Sequence, residues 1–263
     1  MNGKSTRWDQ LLGDAEGLLP MFLEATAGLA HEKKGIRQSE LFFFYALVAP
    51  RRPSRIVESG RARAQSTLAL SRLFPNTAIV SLESEPHSPD VAIAAEKLKD
   101  RANVECRFGD SLVCLPELVG PGDVVLIDGP KDFRALKLAF RLLAAGRTPA
   151  VLVHDLWIGS PARRFVDRRI TSTLLSDNAR WVKRYAALDS AAQYPPTTGD
   201  VRLAYGATLG CFEAGGENYQ RRLAQCRAAQ GADRLRETVR KLLHQPPVTR
   251  PKDFAVVEGK QRR

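Results

Sequence analysis

The sequence predicts an α/β fold built on a doubly wound, mostly parallel sheet, and three observations carry that prediction. From residue 54 onward, short apolar runs alternate with helix-like stretches at the spacing of βαβ units. The runs are rich in β-branched residues, and Val124-Val125-Leu126-Ile127 is apolar throughout, as suits a strand covered on both faces. The intervening stretches carry helix-start signals. The clearest is Ser88-Pro89-Asp90: a capping serine, a first-turn proline and an acid at the positive end of the helix.

Taken in order, the first 50 residues read as helical. Trp8, Leu11, Leu12, Ala15 and Leu19 form one apolar stripe, and Pro20 opens a second helix through Leu29. A third helix over 38–48 ends at the prolines of positions 50 and 53. Strands are expected over 55–58, 78–82, 104–108, 124–127 and 150–153, with helices over 64–73, 89–98, 115–119 and 133–145. Two later runs, 181–188 and 201–212, read as strands that pair antiparallel at one edge across a Pro195-Pro196-Thr197-Thr198-Gly199 loop. The expected division is a helical cap over 1–50, the α/β domain over 51–215 and a basic extension over 216–263.

Composition bounds the function. The 263 residues are 44% hydrophobic and 26% charged, enough for a sizeable core and unlike a disordered, collagenous or disulfide-scaffold chain. The longest uncharged apolar run, 41–50, is about half of the roughly 20 residues a bilayer span needs. No secretory signal is visible, so a soluble cytoplasmic protein is expected. Cysteines 106, 114, 211 and 226 lack zinc-ligand spacing, and Cys106 and Cys211 read as small buried hydrophobes.

The formal charge of +11 is uneven, because the chain from Arg221 onward carries a net +8. There Tyr219, Leu223, Cys226, Leu235, Val239 and Leu242 recur at helical spacing, which predicts an amphipathic helix docked on the body. Prolines 246, 247 and 251 and the basic Lys260-Gln261-Arg262-Arg263 end follow. The competing reading is an anchor for nucleic acid, another acidic partner or an anionic surface.

In a doubly wound sheet the ligand sits outside the carboxyl ends of the strands. The first strand runs into Glu58-Ser59-Gly60, where a glycine permits a tight turn and close backbone approach. The second ends at Glu83, 23 residues after Gly60, near the spacing at which an acid holds ribose hydroxyls. The third ends in Gly109-Asp110-Ser111, the fourth in Asp128-Gly129-Pro130-Lys131 and the fifth in His154-Asp155. Such an acidic rim suits a cationic nucleoside better than a phosphate-rich cofactor.

On these motifs, and on Leu82-Glu83-Ser84-Glu85-Pro86 and Leu115-Pro116-Glu117-Leu118, residues 55–157 resemble class I S-adenosylmethionine-dependent methyltransferases. The similarity is strongest to the branch around catechol O-methyltransferase and related small-molecule O-methyltransferases. The resemblance implies a Rossmann-like, seven-stranded sheet whose last strand is antiparallel. It implies that Glu58 and Gly60 shape the methionine pocket and Ser66 binds the methionine carboxylate. Glu83 would hold the ribose, Asp110 the adenine edge, and Asp128 would lie beside the sulfonium. Lys131 matches the family's general base, with Asp155 beside it and His154 as a rival base. The acceptor is expected to be a small-molecule hydroxyl, in a pocket supplied by the N-terminal helices and the 190–199 loop, with Phe42, Phe43, Phe44 and Tyr45 as candidate linings.

The departures are specific. Arg61 and Arg63 are unusual beside a cationic cofactor and could contact an anionic substrate or the cofactor carboxylate. Metal-dependent members hold Mg²⁺ with a third ligand where this chain has Leu156, so metal dependence is left open and disfavoured. The alternatives are a methyltransferase-fold binding protein without turnover, engaging an acidic partner through the basic extension, and an RNA methyltransferase.

Overall fold

The computed structural model describes residues 3–30, 35–189 and 208–243. Its centre is a seven-stranded sheet: β1 (Arg55–Ser59), β2 (Ala78–Glu83), β3 (Val104–Phe108), β4 (Asp123–Ile127), β5 (Ala150–Val153), β6 (Leu174–Leu175) and β7 (Gly210–Glu213). The spatial order is β3-β2-β1-β4-β5-β7-β6. Strands β1 to β5 pair in parallel, and β7 runs antiparallel to both β5 and β6. The chain order reverses between β1 and β4, which opens a crevice at their carboxyl ends. The expected five parallel strands are all present, within a residue at their ends.

Helices cover both faces: α1 (Gly3–Thr26), α2 (Gln38–Val48), α3 (Gln65–Leu73), α4 (Pro89–Leu98), α5 (Ser111–Leu118), α6 (Asp132–Ala144), α7 (Pro161–Arg169), α8 (Ala179–Tyr185) and α9 (Tyr219–Leu242). The period of two along each strand divides the core. Val124 and Leu126 face an apolar cluster shared with α1, α2, α3 and α8, whereas Val125 and Ile127 face one shared with α6, α7 and the start of α9. Polar caps start many of the helices: Ser88 accepts from Asp90 N, Asp110 from Leu112 N, Ser160 from Arg163 N, Asn178 from Arg180 N and Asn218 from Arg221 N. Strand β3 is different, being an edge strand with Glu105, Cys106, Arg107 and Phe108 exposed.

Several expectations are corrected. Pro20 opens no second helix, because α1 runs through it; Pro20 faces solvent while buried Phe22 packs on Phe42 and Tyr45, so tertiary packing holds the turn beyond it. Residues 181–188 form α8 and a short 3₁₀ turn rather than a strand. Trp181, Val182 and Tyr185 are buried at helical spacing, and the Trp181 indole N–H donates to Ser39 O at 3.1 Å. The partner of β7 is Leu174–Leu175 instead, and residues 201–207 of the other expected strand lie outside the described residues. Cys106 is exposed, whereas Cys211 is buried as expected. Phe42, Phe43, Phe44 and Tyr45 are all core residues, wrapped by Phe22, Phe74, Trp8, Trp181 and Tyr185. The 190–199 loop and the 244–263 tail lie outside the described residues. No described helix is long and apolar enough to cross a membrane.

Candidate active site

The sheet brings the expected residues to one rim. Backbone strain concentrates there as well. Of the five described non-glycine residues at positive φ, Ala62 and Ala64 follow β1, Asp132 follows β4 and Asp155 follows β5; only Arg52 lies elsewhere. Such geometry costs of order 1–3 kcal/mol each and clusters where ligands are bound.

The β1 turn is closed onto β4. Asp128 N and Gly129 N donate to Ser59 O at 2.8 and 3.0 Å. Gly60, at φ +91, leaves no room for a side chain, since a Cβ would lie 2.7 Å from Gly129 N and 2.9 Å from the Asp128 carbonyl carbon. Glu58 is wholly buried beneath this turn and accepts from Ser66 Oγ at 2.5 Å, from Ser81 Oγ at 2.7 Å and from Thr67 Oγ1. Burial pushes its carboxyl up, against the three hydroxyl donors. Ser66 therefore spends its hydroxyl proton on Glu58. What it offers an incoming carboxylate is the backbone of the first turn of α3.

On the neighbouring strands the acids are held by neutral donors. Glu83 Oε2 accepts from Ala62 N at 2.8 Å, and Oε1 from Ser84 N and Glu85 N at 2.8 and 3.1 Å. A carboxylate has about four acceptor sites, so Oε2 keeps one for a ligand hydroxyl. Asp110 caps α5 through one oxygen, at 2.9 Å from Leu112 N, and is exposed. The two arginines of the glycine turn are engaged within the chain. Arg61 is buried, donates to Ser81 O at 2.6 Å and lies over the Phe108 ring at 5.1 Å, while Arg63 pairs with Asp90 at 2.7 Å.

At the ends of β4 and β5 the acids meet cations. Lys131 Nζ bridges Asp128 Oδ1 at 2.5 Å and Asp155 Oδ2 at 2.9 Å. His154 Nδ1 meets Asp128 Oδ1 at 2.6 Å, and its Nε2 reaches Glu40 Oε2 at 3.4 Å. Burial alone would lower the His154 pKa, but Asp128 and Glu40 outweigh it and raise the pKa to about 10. The ring is thus an imidazolium donating from both nitrogens. Burial would raise Asp128, yet His154 and Lys131 hold it at about 2. Burial would lower Lys131, and Asp128 and Asp155 raise it instead. Glu40, in the first turn of α2, is the member that sequence reasoning missed. Its only local signal is an acid three residues after Arg37, which reads as an ordinary helix-start acid; Arg37 N does donate to it at 3.2 Å.

Ligand atoms of Asp128, His154 and Asp155 lie within 4.8 Å of one another. Two of the three donors are carboxylates, which Mg²⁺ accepts together with water, so the set neither requires nor excludes that ion, and two features weigh against it. The third donor is an imidazole nitrogen, and the Lys131 ammonium already spans the two carboxylates.

No family model and no curated protein matches the chain. Among solved structures it is similar to an SAH-bound methyltransferase from Podospora anserina, at 16% identity over 81% of this chain and 97% of that one, with a TM-score of 0.42. An SAH-bound O-methyltransferase from Bacillus cereus is similar at 19% identity over 76% and 90% of the two chains, with a TM-score of 0.44. The SAM-bound O-methyltransferase TomG from Streptomyces achromogenes is similar at 21% identity over 78% and 90%, with a TM-score of 0.42.

Proposed function

We propose that this protein is a cytoplasmic S-adenosylmethionine-dependent methyltransferase acting on the hydroxyl of a small molecule. The observation that carries the reading is the rim itself: Glu58, Glu83, Asp110, Asp128 and Asp155 stand at the carboxyl ends of five consecutive parallel strands, around a glycine turn packed directly on β4. These residues fit a cationic nucleoside. Glu83 has an acceptor site left for a ribose hydroxyl, Asp110 has a free oxygen for an amino group, and Gly60 opens the turn for the methionine portion. Glu58 shapes that turn from below, and the α3 backbone at Ser66 receives the carboxylate.

When bound, S-adenosylmethionine would supply an electrophilic methyl group on a sulfonium, and Asp128 is the residue that would hold that charge. The chain's own work is orientation and proton removal. Lys131 is the more solvent-accessible of the two candidate bases, with 38% of its side chain exposed against 6% for His154. Lys131 is protonated while it neutralises Asp128 and Asp155, so in that state it is no base. A cation held beside Asp128 would lower the Lys131 pKa, because the ammonium would then sit next to like charge, and its proton would leave to solvent before the acceptor's proton is taken. Lys131 Nζ, once neutral, takes the acceptor's proton, aimed by Asp155; His154 stays buried as the counter-ion that fixes Asp128.

Calorimetric titration with S-adenosylmethionine and S-adenosylhomocysteine tests the reading. Both should bind, and Glu83→Ala should weaken them by about tenfold or more, the cost of removing a charged hydrogen-bond acceptor. A folded wild-type protein that binds neither overturns it.

A further inference from the structure

Helix α9 changes its role halfway along. Its first half buries Tyr219 and Cys226 against the body. Leu235 comes nine residues after Cys226, two and a half turns at 3.6 residues per turn, and so points to the opposite side. From there Leu235, Val239, Leu242 and the following Leu243 are 66%, 45%, 73% and 63% exposed. The sequence expectation of one continuous docked stripe therefore fails in the second half, which presents its apolar residues to solvent.

Cations flank this stripe. Arg234 precedes the first of its apolar positions, and Arg236, Arg240 and Lys241 lie between them with one acid, Glu237, which pairs with Arg240; among the described residues Arg234 and Arg236 meet no carboxylate. Arg236 also lines a cleft of about 120 Å³ between α9 and α7, together with Arg164, Arg168 and Arg169, over a floor of Phe133 and Phe165. Asp233 is the one acid in that lining. Guanidinium groups in this density suit phosphate oxygens.

Three occupants compete. A second copy of α9 would cover the leucines but bring the arginines together. A nucleic acid would satisfy the arginines and leave the leucines in water. An anionic bilayer surface satisfies both, since an interfacial helix buries its apolar face at the headgroup boundary while its cations meet lipid phosphate. We infer that the second half of α9 and the adjoining arginine cleft form a docking surface for anionic phospholipid membranes, seating the protein beside the bilayer with no span.

The test is flotation of the full-length protein with phosphatidylcholine vesicles, with and without phosphatidylglycerol. Binding is expected to the anionic vesicles alone and to fall with added salt. Leu235→Gln with Leu242→Gln should weaken it by about tenfold or more. Arg234→Gln with Arg236→Gln should weaken it about 25-fold, at about fivefold for each cation near the surface. All these side chains are exposed, and thermal unfolding verifies that both variants keep the fold. Three results overturn the inference: no binding to anionic vesicles, equal binding to neutral ones, or binding that survives the leucine changes. A dimer in sedimentation that the leucine changes dissociate, without vesicle binding, assigns the stripe to a second copy instead.

Discussion

The two halves of the rim hold their carboxylates by opposite means. On the β1–β2–β3 side, Glu58, Glu83 and Asp110 are held by hydroxyls and backbone N–H groups, which are neutral. On the β4–β5 side, Asp128 and Asp155 are held by an ammonium and an imidazolium. Neutral donors cancel no charge, so Glu83 and Asp110 keep their field for a cationic or hydroxyl-bearing ligand, whereas burial pushes the Glu58 carboxyl toward its neutral form. Cations cancel the charge and couple the protonation states, so the second half responds to whatever charge arrives. In the proposed reaction, one half binds and the other half manages protons.

The largest break in this contrast should come from Lys131→Met. We expect turnover of an accepted substrate to fall by about 10²–10⁴ with S-adenosylmethionine affinity nearly retained, which single-turnover kinetics and calorimetry together would separate. Asp128→Asn comes next. It removes the larger of the two counter-charges that keep His154 protonated and leaves only Glu40, and urea unfolding should register a loss of about 3–5 kcal/mol, as for breaking other buried pairs.

The same variant sharpens the pH behaviour. Folding raises the His154 pKa from 6.5 to about 10, so its contribution is complete below pH 6.5 and disappears as the pH rises through about 10. Asp128 falls from 3.8 to about 2, so its contribution holds above pH 3.8 and is lost in stronger acid. Stability measured between pH 6.5 and 10 should decline in the wild type and stay flatter in Asp128→Asn. An imidazole nitrogen NMR titration placing His154 near its ordinary value would remove the coupled cluster from the account. Glu58→Gln should have the smallest effect on the fold, about 1–2 kcal/mol in the same urea experiment, because an amide oxygen still accepts from part of the hydroxyl set.

What was legible in the sequence follows from locality. Strands β1 to β5 could be read because a strand buried on both faces must be apolar over its whole length, and helix starts because Ser, Asp and Pro act within one turn. The residues at the strand ends were legible for the same reason, since each sits next to the strand that positions it. Glu40 was not, because its meeting with His154 joins positions 114 residues apart. Residues 181–188 misled because Trp, Val and Tyr favour strands in isolation, while burial against Phe42 and Phe43 decides for a helix. Even there Asn178 offered a cap signal that the apolar pattern overrode. The hydroxyl set around Glu58 was half legible: Ser66 was singled out for a ligand, and its hydroxyl proves to donate to Glu58, a partner the sequence did not indicate.

Strand β3 has a bearing on the protein's behaviour at high concentration. A sheet edge with unpaired backbone groups is a template for another chain, and charge along the edge is what discourages that pairing. Here the guard is small: Glu105 and Arg107 face solvent on either side of Cys106 and pair with each other at 2.6 Å, so they are neutral as a pair yet costly to bury. Stripping both charges would leave a short apolar edge carrying an exposed thiol. Solubility of this protein is therefore guarded at one end of the sheet by two side chains that take no part in its chemistry.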